Sequence, residues 1–279
     1  FMKVLLFVLL LISRLPLKIL YLFSDFIFVV NYYIVGYRKK VIYENLQAAF
    51  PEKSPKELKK IQKDFFRNFS DYIIETLKAM TISETELRVR MQHIHQHVFR
   101  EAKNEGKNVI LLAGHVFNWE WITALASVLP QEKCFGVYRK IRNKSGNQSL
   151  ESKDVMRQML RNPNDGNSAY LFIADQSPKK AHVDIGAIFL NQKTPVFTGY
   201  DKISTRKDLA FVYCEMKKVK RGFYQINYYR IYPDNEKFQP FEVVKKFHIH
   251  LENTIRKRPD NYRWSHRRWK YADQIKHMI

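Results

Sequence analysis

The chain has 279 residues, with 48 Lys+Arg against 27 Asp+Glu, a formal net charge of +21. Hydrophobic residues at 46% and aromatics at 14% exclude a disordered polycation and provide for a large core. The only cysteines, Cys134 and Cys214, lie in strand-like apolar runs without CxxC spacing, which argues against a disulfide framework or thiolate metal site and fits assembly on the reducing side of a membrane. The basic excess points to a polyanion: nucleic acid, anionic lipid, a phosphorylated substrate or an acidic carrier protein.

In chain order, Met2 to Ile12 is apolar apart from Lys3, and a second apolar run, Leu15 to Gly36, is broken by Pro16, Lys18, Ser24, Asp25 and Asn31. Neither is the clean stretch of roughly 20 residues that spans a bilayer. The chain opens on Phe1 in place of Met, and further apolar residues upstream would complete a spanning helix. A signal peptide has the same form, but no small-x-small cleavage site follows, and Arg14, Lys18 and Arg38-Lys39-Lys40 flank the runs. The expectation is an uncleaved membrane anchor and interfacial helix over residues 1–36, with a catalytic domain over 37–279 held on the cytoplasmic side against anionic headgroups.

Residues Arg38 to Met80 read as helical, with a break at Pro51–Pro55 and a capping box at Ser54-Pro55-Lys56-Glu57. Leu58, Ile61, Phe65, Phe66, Phe69, Tyr72, Ile73 and Leu77 recur at helical spacing and predict one core-facing stripe. His93, His95 and His97 alternate like a metal tract, but the surroundings look helical and an exposed surface is expected. From about residue 108 the texture changes. Strands are predicted at Asn108–Ala113, Cys134–Tyr138 and Ala169–Ala174, with helices near Trp119–Val128 and Lys153–Leu160. Leu209–Val219 and Phe223–Tyr232 flank a charged hairpin tip, and a last helix runs from Phe241 to Arg258. Strands alternating with helices predict an α/β sheet with parallel pairs.

Open α/β sheets place their sites at the carboxyl ends of parallel strands. Gly114-His115-Val116-Phe117-Asn118-Trp119-Glu120 ends the first strand. On one continuous helix His115 and Glu120 would lie about 140° apart, so they can pair only if His115 sits outside the helix. A histidine can take a proton from a hydroxyl while a carboxylate on its second nitrogen fixes the tautomer, which suggests direct transfer to a hydroxyl without a covalent enzyme intermediate. A core histidine capping a helix is the bland alternative. The other strand ends offer Arg139 and Arg142, suited to phosphate, and Asp175 with Gln176.

In these blocks the chain resembles the bacterial lipid A biosynthesis acyltransferases of the late, lauroyl and myristoyl type. The resemblance rests on Gly36-Tyr37-Arg38-Lys39-Lys40-Val41, Glu44-Asn45-Leu46, Phe50-Pro51-Glu52, Gly114-His115 to Glu120, Val137-Tyr138-Arg139, Asp175-Gln176 and Trp264-Ser265-His266-Arg267-Arg268-Trp269-Lys270. It implies a glycerolipid-acyltransferase-like mixed sheet flanked by helices, an N-terminal anchor in the inner membrane, and acyl transfer to a hydroxyl of a lipid A precursor. It implies His115 as base and Glu120 as its acidic partner, with Arg139, Arg142, Asp175, Asn118 and Gln176 toward substrate. Arg139 and Arg142 are nearly adjacent, where the family carries a longer helical stretch. The implied partners are acyl carrier protein, the lipid A precursor and anionic inner-membrane lipid, with no nucleic acid. No metal or bound cofactor is expected, the acyl carrier protein thioester, or acyl-CoA in its place, being the donor substrate. The alternatives are acylation of another membrane glycolipid or phospholipid, against which the missing Phe-Pro-Glu-Gly-Thr-Arg block speaks, and a non-catalytic basic protein bound at a membrane surface.

Overall fold

A computed structural model describes residues 2–122, 129–137, 148–150, 152–178, 180 and 183–279. Helix α1 (Met2–Ser13) leads through Pro16 into α2 (Leu17–Val29), which continues as one π-helical turn to Val35 and stops at Gly36 in the left-handed region. Helices α3 (Lys39–Ala49) and α4 (Pro55–Lys78) follow, then α5 (Glu84–Arg90), strand β1 (Met91–Ile94) and α6 (His97–Asn104). The α/β part runs β2 (Val109–Ala113), β3 (Lys133–Val137), β4 (Gln148–Leu150), α7 (Ser152–Arg161), β5 (Ser168–Ile173), β6 (Ile185–Phe189), β7 (Gln192–Pro195), α8 (Asp201–Ser204), β8 (Ala210–Lys220), β9 (Phe223–Ile231), α9 (Glu242–Lys257) and β10 (His277–Met278).

The main sheet has the order β1-β9-β8-β2-β5-β3-β4. Every neighbouring pair in it is parallel except the β8–β9 hairpin. β2 lies between β8 and β5 and is buried along its whole length, which is why it reads as an unbroken apolar run. A small second sheet, β10-β6-β7, carries the end of the chain. The expected mixed α/β sheet flanked by helices is therefore present. The stretch around His93 differs from expectation. It is strand β1, paired with β9, and His93 Nδ1 lies 2.6 Å from Tyr228 Oη; burial, aided by Arg88, lowers the His93 pKa to about 4. His95 and His97 are exposed, as expected. Among the described residues no cluster of three or more His, Cys, Asp or Glu could hold a metal.

The capping box at α4 forms as read. Glu57 N–H donates to Ser54 Oγ, and the Ser54 N–H donates back to Glu57. The buried face of α4 is more polar than its apolar stripe suggests, because α2 and the turn before it dock there through polar groups: Ser24 Oγ donates to Asp71 at 2.8 Å, Tyr21 Oη to Glu75 at 2.7 Å, and Lys78 Nζ to Leu15 O at 3.0 Å. Ile73, expected inside, is exposed. The β8–β9 tip joins this contact. Arg221 donates to both Asp25 and Asp71, and at Gly222, with φ of +72°, a Cβ would stand 2.2 Å from Tyr21 Oη. Leu17–Val35 is 19 residues long with mean hydropathy 1.5, long and apolar enough by length and composition to cross a membrane. Its outer face exposes Leu22, Phe23, Phe26, Ile34 and Val35, and α1 adds Leu5, Leu6 and Phe7, an apolar surface of the kind that associates with membranes.

Candidate active site

Strands β2 and β5 pair in parallel with Ala113 opposite Ile173, so residues two positions past each strand end stand side by side. These are His115 and Asp175. The His115 ring Nδ1 lies 2.5 Å from Asp175 Oδ1, and the His115 backbone N–H donates to Asp175 Oδ2 at 3.1 Å. The second ring nitrogen, Nε2, is 2.8 Å from the Gln176 amide nitrogen. With Nδ1–H facing the carboxylate, Nε2 carries the lone pair, the tautomer a general base requires.

Gly114 serves this geometry by close approach, since a Cβ there would stand 2.5 Å from Leu251 of α9. The loop beyond it bends at Phe117, with φ of +49°, and is pinned by the C-terminal segment: Phe117 N–H donates to Asn261 O at 3.0 Å, and Val116 forms a β-bridge with Tyr262. A 3-10 turn then spans residues 119–122, so His115 lies outside any helix, as pairing with a carboxylate demands. Trp119 packs edge-on against the His115 ring at 4.8 Å, Tyr72 stacks on Trp119 at 4.2 Å, and the Arg263 guanidinium lies over Trp119 at 5.4 Å.

The place on the imidazole foreseen for Glu120 is thus held by Asp175, because sheet pairing delivers Asp175 to Nδ1. Glu120, five residues along the loop, accepts a hydrogen bond from Tyr72 Oη at 3.4 Å. Asn118 also differs from expectation. It is fully buried, and its amide donates to Glu75 Oε2 at 2.8 Å, so it braces the loop from behind where substrate contact was expected. Gln176 faces His115 Nε2. Arg139 and Arg142 lie outside the described residues.

Asp175 is 2% exposed. Burial opposes its charge, but the His115 ring, the His115 ring and backbone hydrogen bonds, and the nearby Arg268 guanidinium hold its carboxyl down at about 2. Arg268 is itself buried, with Nη1 donating to Pro195 O at 2.6 Å and Ser177 Oγ at 3.0 Å, while Ser177 Oγ donates to the Arg268 carbonyl. Glu75, another buried carboxylate, accepts from Tyr21, Tyr224 and Asn118, and the Trp121 indole donates to its backbone carbonyl. Burial pushes the Glu75 carboxyl up. Sequence reasoning assigned no role to Glu75 or Arg268; an acid three residues after Tyr72 on an apolar helical stripe was the signal for Glu75.

The resembling blocks at the two chain ends also meet here. Asn45 Nδ2 donates to the Trp264 and His266 carbonyls, Arg38 Nη1 to Ser265 O at 2.8 Å, and Phe50 packs edge-on against Trp264. Compared with known families, the chain matches the profile described as bacterial lipid A biosynthesis acyltransferase over residues 2–271. No curated protein matches it.

Proposed function

Because the chain belongs to the bacterial lipid A biosynthesis acyltransferase family, we propose that it transfers a fatty acyl chain from acyl carrier protein to a hydroxyl of a lipid A precursor, with His115 as general base. The observation that carries this reading is the His115–Asp175 pair, with Nε2 turned away from the carboxylate toward Gln176. The acceptor hydroxyl displaces the Gln176 amide from Nε2 and gives its proton to the ring as its oxygen attacks the thioester carbonyl. Asp175, ionised beside Nδ1–H, stabilises the imidazolium. Collapse of the tetrahedral intermediate forms the ester and breaks the C–S bond, and the proton passes from Nε2 to the leaving thiolate. Once off the ring, the Gln176 amide is a donor beside the reacting carbonyl. Glu120 supports the base indirectly, holding Tyr72 in the stack that packs Trp119 against His115. No cofactor enters this redox-neutral exchange.

The N-terminal helices hold the site at the cytoplasmic face of the inner membrane, in contact with anionic lipid. Asp25 lies midway along Leu17–Val35 and is ion-paired to Arg221. A charged side chain at a bilayer centre costs about 3 kcal/mol even on insertion scales, which favours a helix embedded along the interface over one that spans. The test is acyl transfer by the purified chain from acyl carrier protein thioester to a lipid A precursor, read by mass spectrometry. A gain of one acyl chain is expected; no gain there, with acylation of a phospholipid in the same membranes, would overturn the assignment.

A further inference from the structure

Where the start of α3 meets the C-terminal segment, the structure holds a cavity of about 370 Å³ lined by Arg38, His266, Arg267 and Lys270. Its walls come from the start of α3 and the C-terminal segment, the two parts of the chain joined by the Arg38–Ser265 and Asn45–Trp264 hydrogen bonds. We propose that this cavity is the subsite for a phosphoryl group of the lipid acceptor, an inference that rests on the function proposed above.

Charge balance is the first support. Several arginines elsewhere find carboxylates: Arg221 has Asp25 and Asp71, Arg230 has Glu105, Arg256 has Glu252 and Arg258 has Asp260. Arg38, Arg267 and Lys270 form no ion pair among the described residues, and no carboxylate lines the cavity. Three like charges around one concavity repel one another unless an anion sits between them. The second support is construction. Arg38 holds a left-handed backbone, φ of +53°, and its guanidinium is tied to Ser265 O, so the charge is aimed by the fold. His266 adds a ring whose Nδ1 is buried without a partner. Burial, with Arg268 and Arg263, lowers the His266 pKa to about 4, so the ring is neutral at pH 7 and retains one N–H to donate.

Position is the third. The segment that carries His266, Arg267 and Lys270 also places Arg263 over Trp119 and Arg268 near Asp175, so one stretch of chain serves both the cavity and the His115–Asp175 pair. Arg38 in its lining follows directly on Tyr37, an exposed aromatic just past the end of the exposed apolar helix at Gly36. A compact group with several oxygens matches a fork of guanidinium and ammonium donors in a cavity. The acidic helix of a carrier protein, whose carboxylates are spread over a convex surface, does not.

The test uses the full chain with two acceptors, the phosphorylated lipid A precursor and the same lipid after phosphatase treatment, and measures the ratio of their kcat/KM. Arg267→Gln and Lys270→Gln, both at exposed positions, are each expected to cut that ratio about tenfold, the loss of one charged hydrogen bond of about 1.5 kcal/mol. Arg38→Lys is expected to fall between these and the parent chain. An unchanged ratio would overturn the proposal, as would a defect confined to KM for the acyl carrier protein thioester. If the parent chain acylates neither lipid, the enzymatic reading fails by itself. The cavity is then judged by titration with glucosamine 1-phosphate followed by ³¹P NMR: saturable binding lost in Arg267→Gln upholds it, and no binding overturns it.

Discussion

Asp175 and Glu75 are both buried carboxylates within reach of the His115 loop, and their surroundings drive them in opposite directions. Asp175 meets an imidazole, a backbone N–H and a nearby guanidinium, which outweigh burial and keep it ionised. Glu75 meets two phenols and an amide, all neutral donors, and burial pushes its carboxyl up. Hydrogen bonds alone do not decide the charge of a buried acid; an opposing cation does. The difference separates a carboxylate held ionised against the His115 ring from an acid that joins elements. Glu75 connects α2 through Tyr21, β9 through Tyr224 and the His115 loop through Asn118.

The largest effect that would test this contrast is on activity. His115→Ala is expected to lower kcat by about 10³-fold while leaving the thermal transition within a few degrees, measured by acyl incorporation and circular dichroism. Retained activity would remove His115 from the chemistry. Glu75→Ala should act the other way, leaving three buried donors without an acceptor and destabilising the fold by about 3 kcal/mol in urea titrations. Glu75→Gln, which keeps one acceptor, should cost less than half as much. Equal losses in the two variants would show that the Glu75 charge matters more than its hydrogen bonds.

A smaller effect concerns pH. His93, His248 and His266 each titrate near 4 in the folded chain, lowered from 6.5 chiefly by burial. Above pH 6.5 they are neutral whether folded or unfolded. Between 6.5 and 4 the unfolded chain binds protons that the folded chain refuses, so stability falls as pH drops across that window. Asp175 acts lower: its contribution is present above its unfolded value of 3.8 and is lost as pH falls through about 2. The urea midpoint should therefore decline from pH 7 to pH 4.5, and a flat profile would contradict the buried neutral histidines. The smallest effect is at Ser54, where replacement by Ala should cost about 1 kcal/mol through loss of the α4 cap.

Local signals made much of the fold legible. Ser54-Pro55-Lys56-Glu57 announced the start of α4, Lys220-Arg221-Gly222 marked the hairpin, and apolar runs outlined β2, β3 and β5. The short strands β1, β4, β6, β7 and β10 were missed, because two to five residues carry too little pattern without their partners. The site was legible in part for the same reason. His115 stood out at a strand end, but its carboxylate partner depends on β5 lying beside β2, a pairing of residues 60 apart in the chain that no local spacing encodes. Glu120 was the nearer acid in sequence, and Asp175 is the one on the ring. The meeting of Arg38 and Asn45 with residues 264–266 is more distant still, so the basic cavity emerges only in three dimensions.

The most direct measurement is steady-state acyl transfer by Asp175→Asn, a substitution that keeps size and removes the charge behind Nδ1. With the lipid A precursor as acceptor, kcat should fall by about 10²- to 10⁴-fold with KM little changed and the fold intact by circular dichroism. Activity within about threefold of the parent chain would contradict the central claim that Asp175 sets the tautomer and charge of the catalytic imidazole.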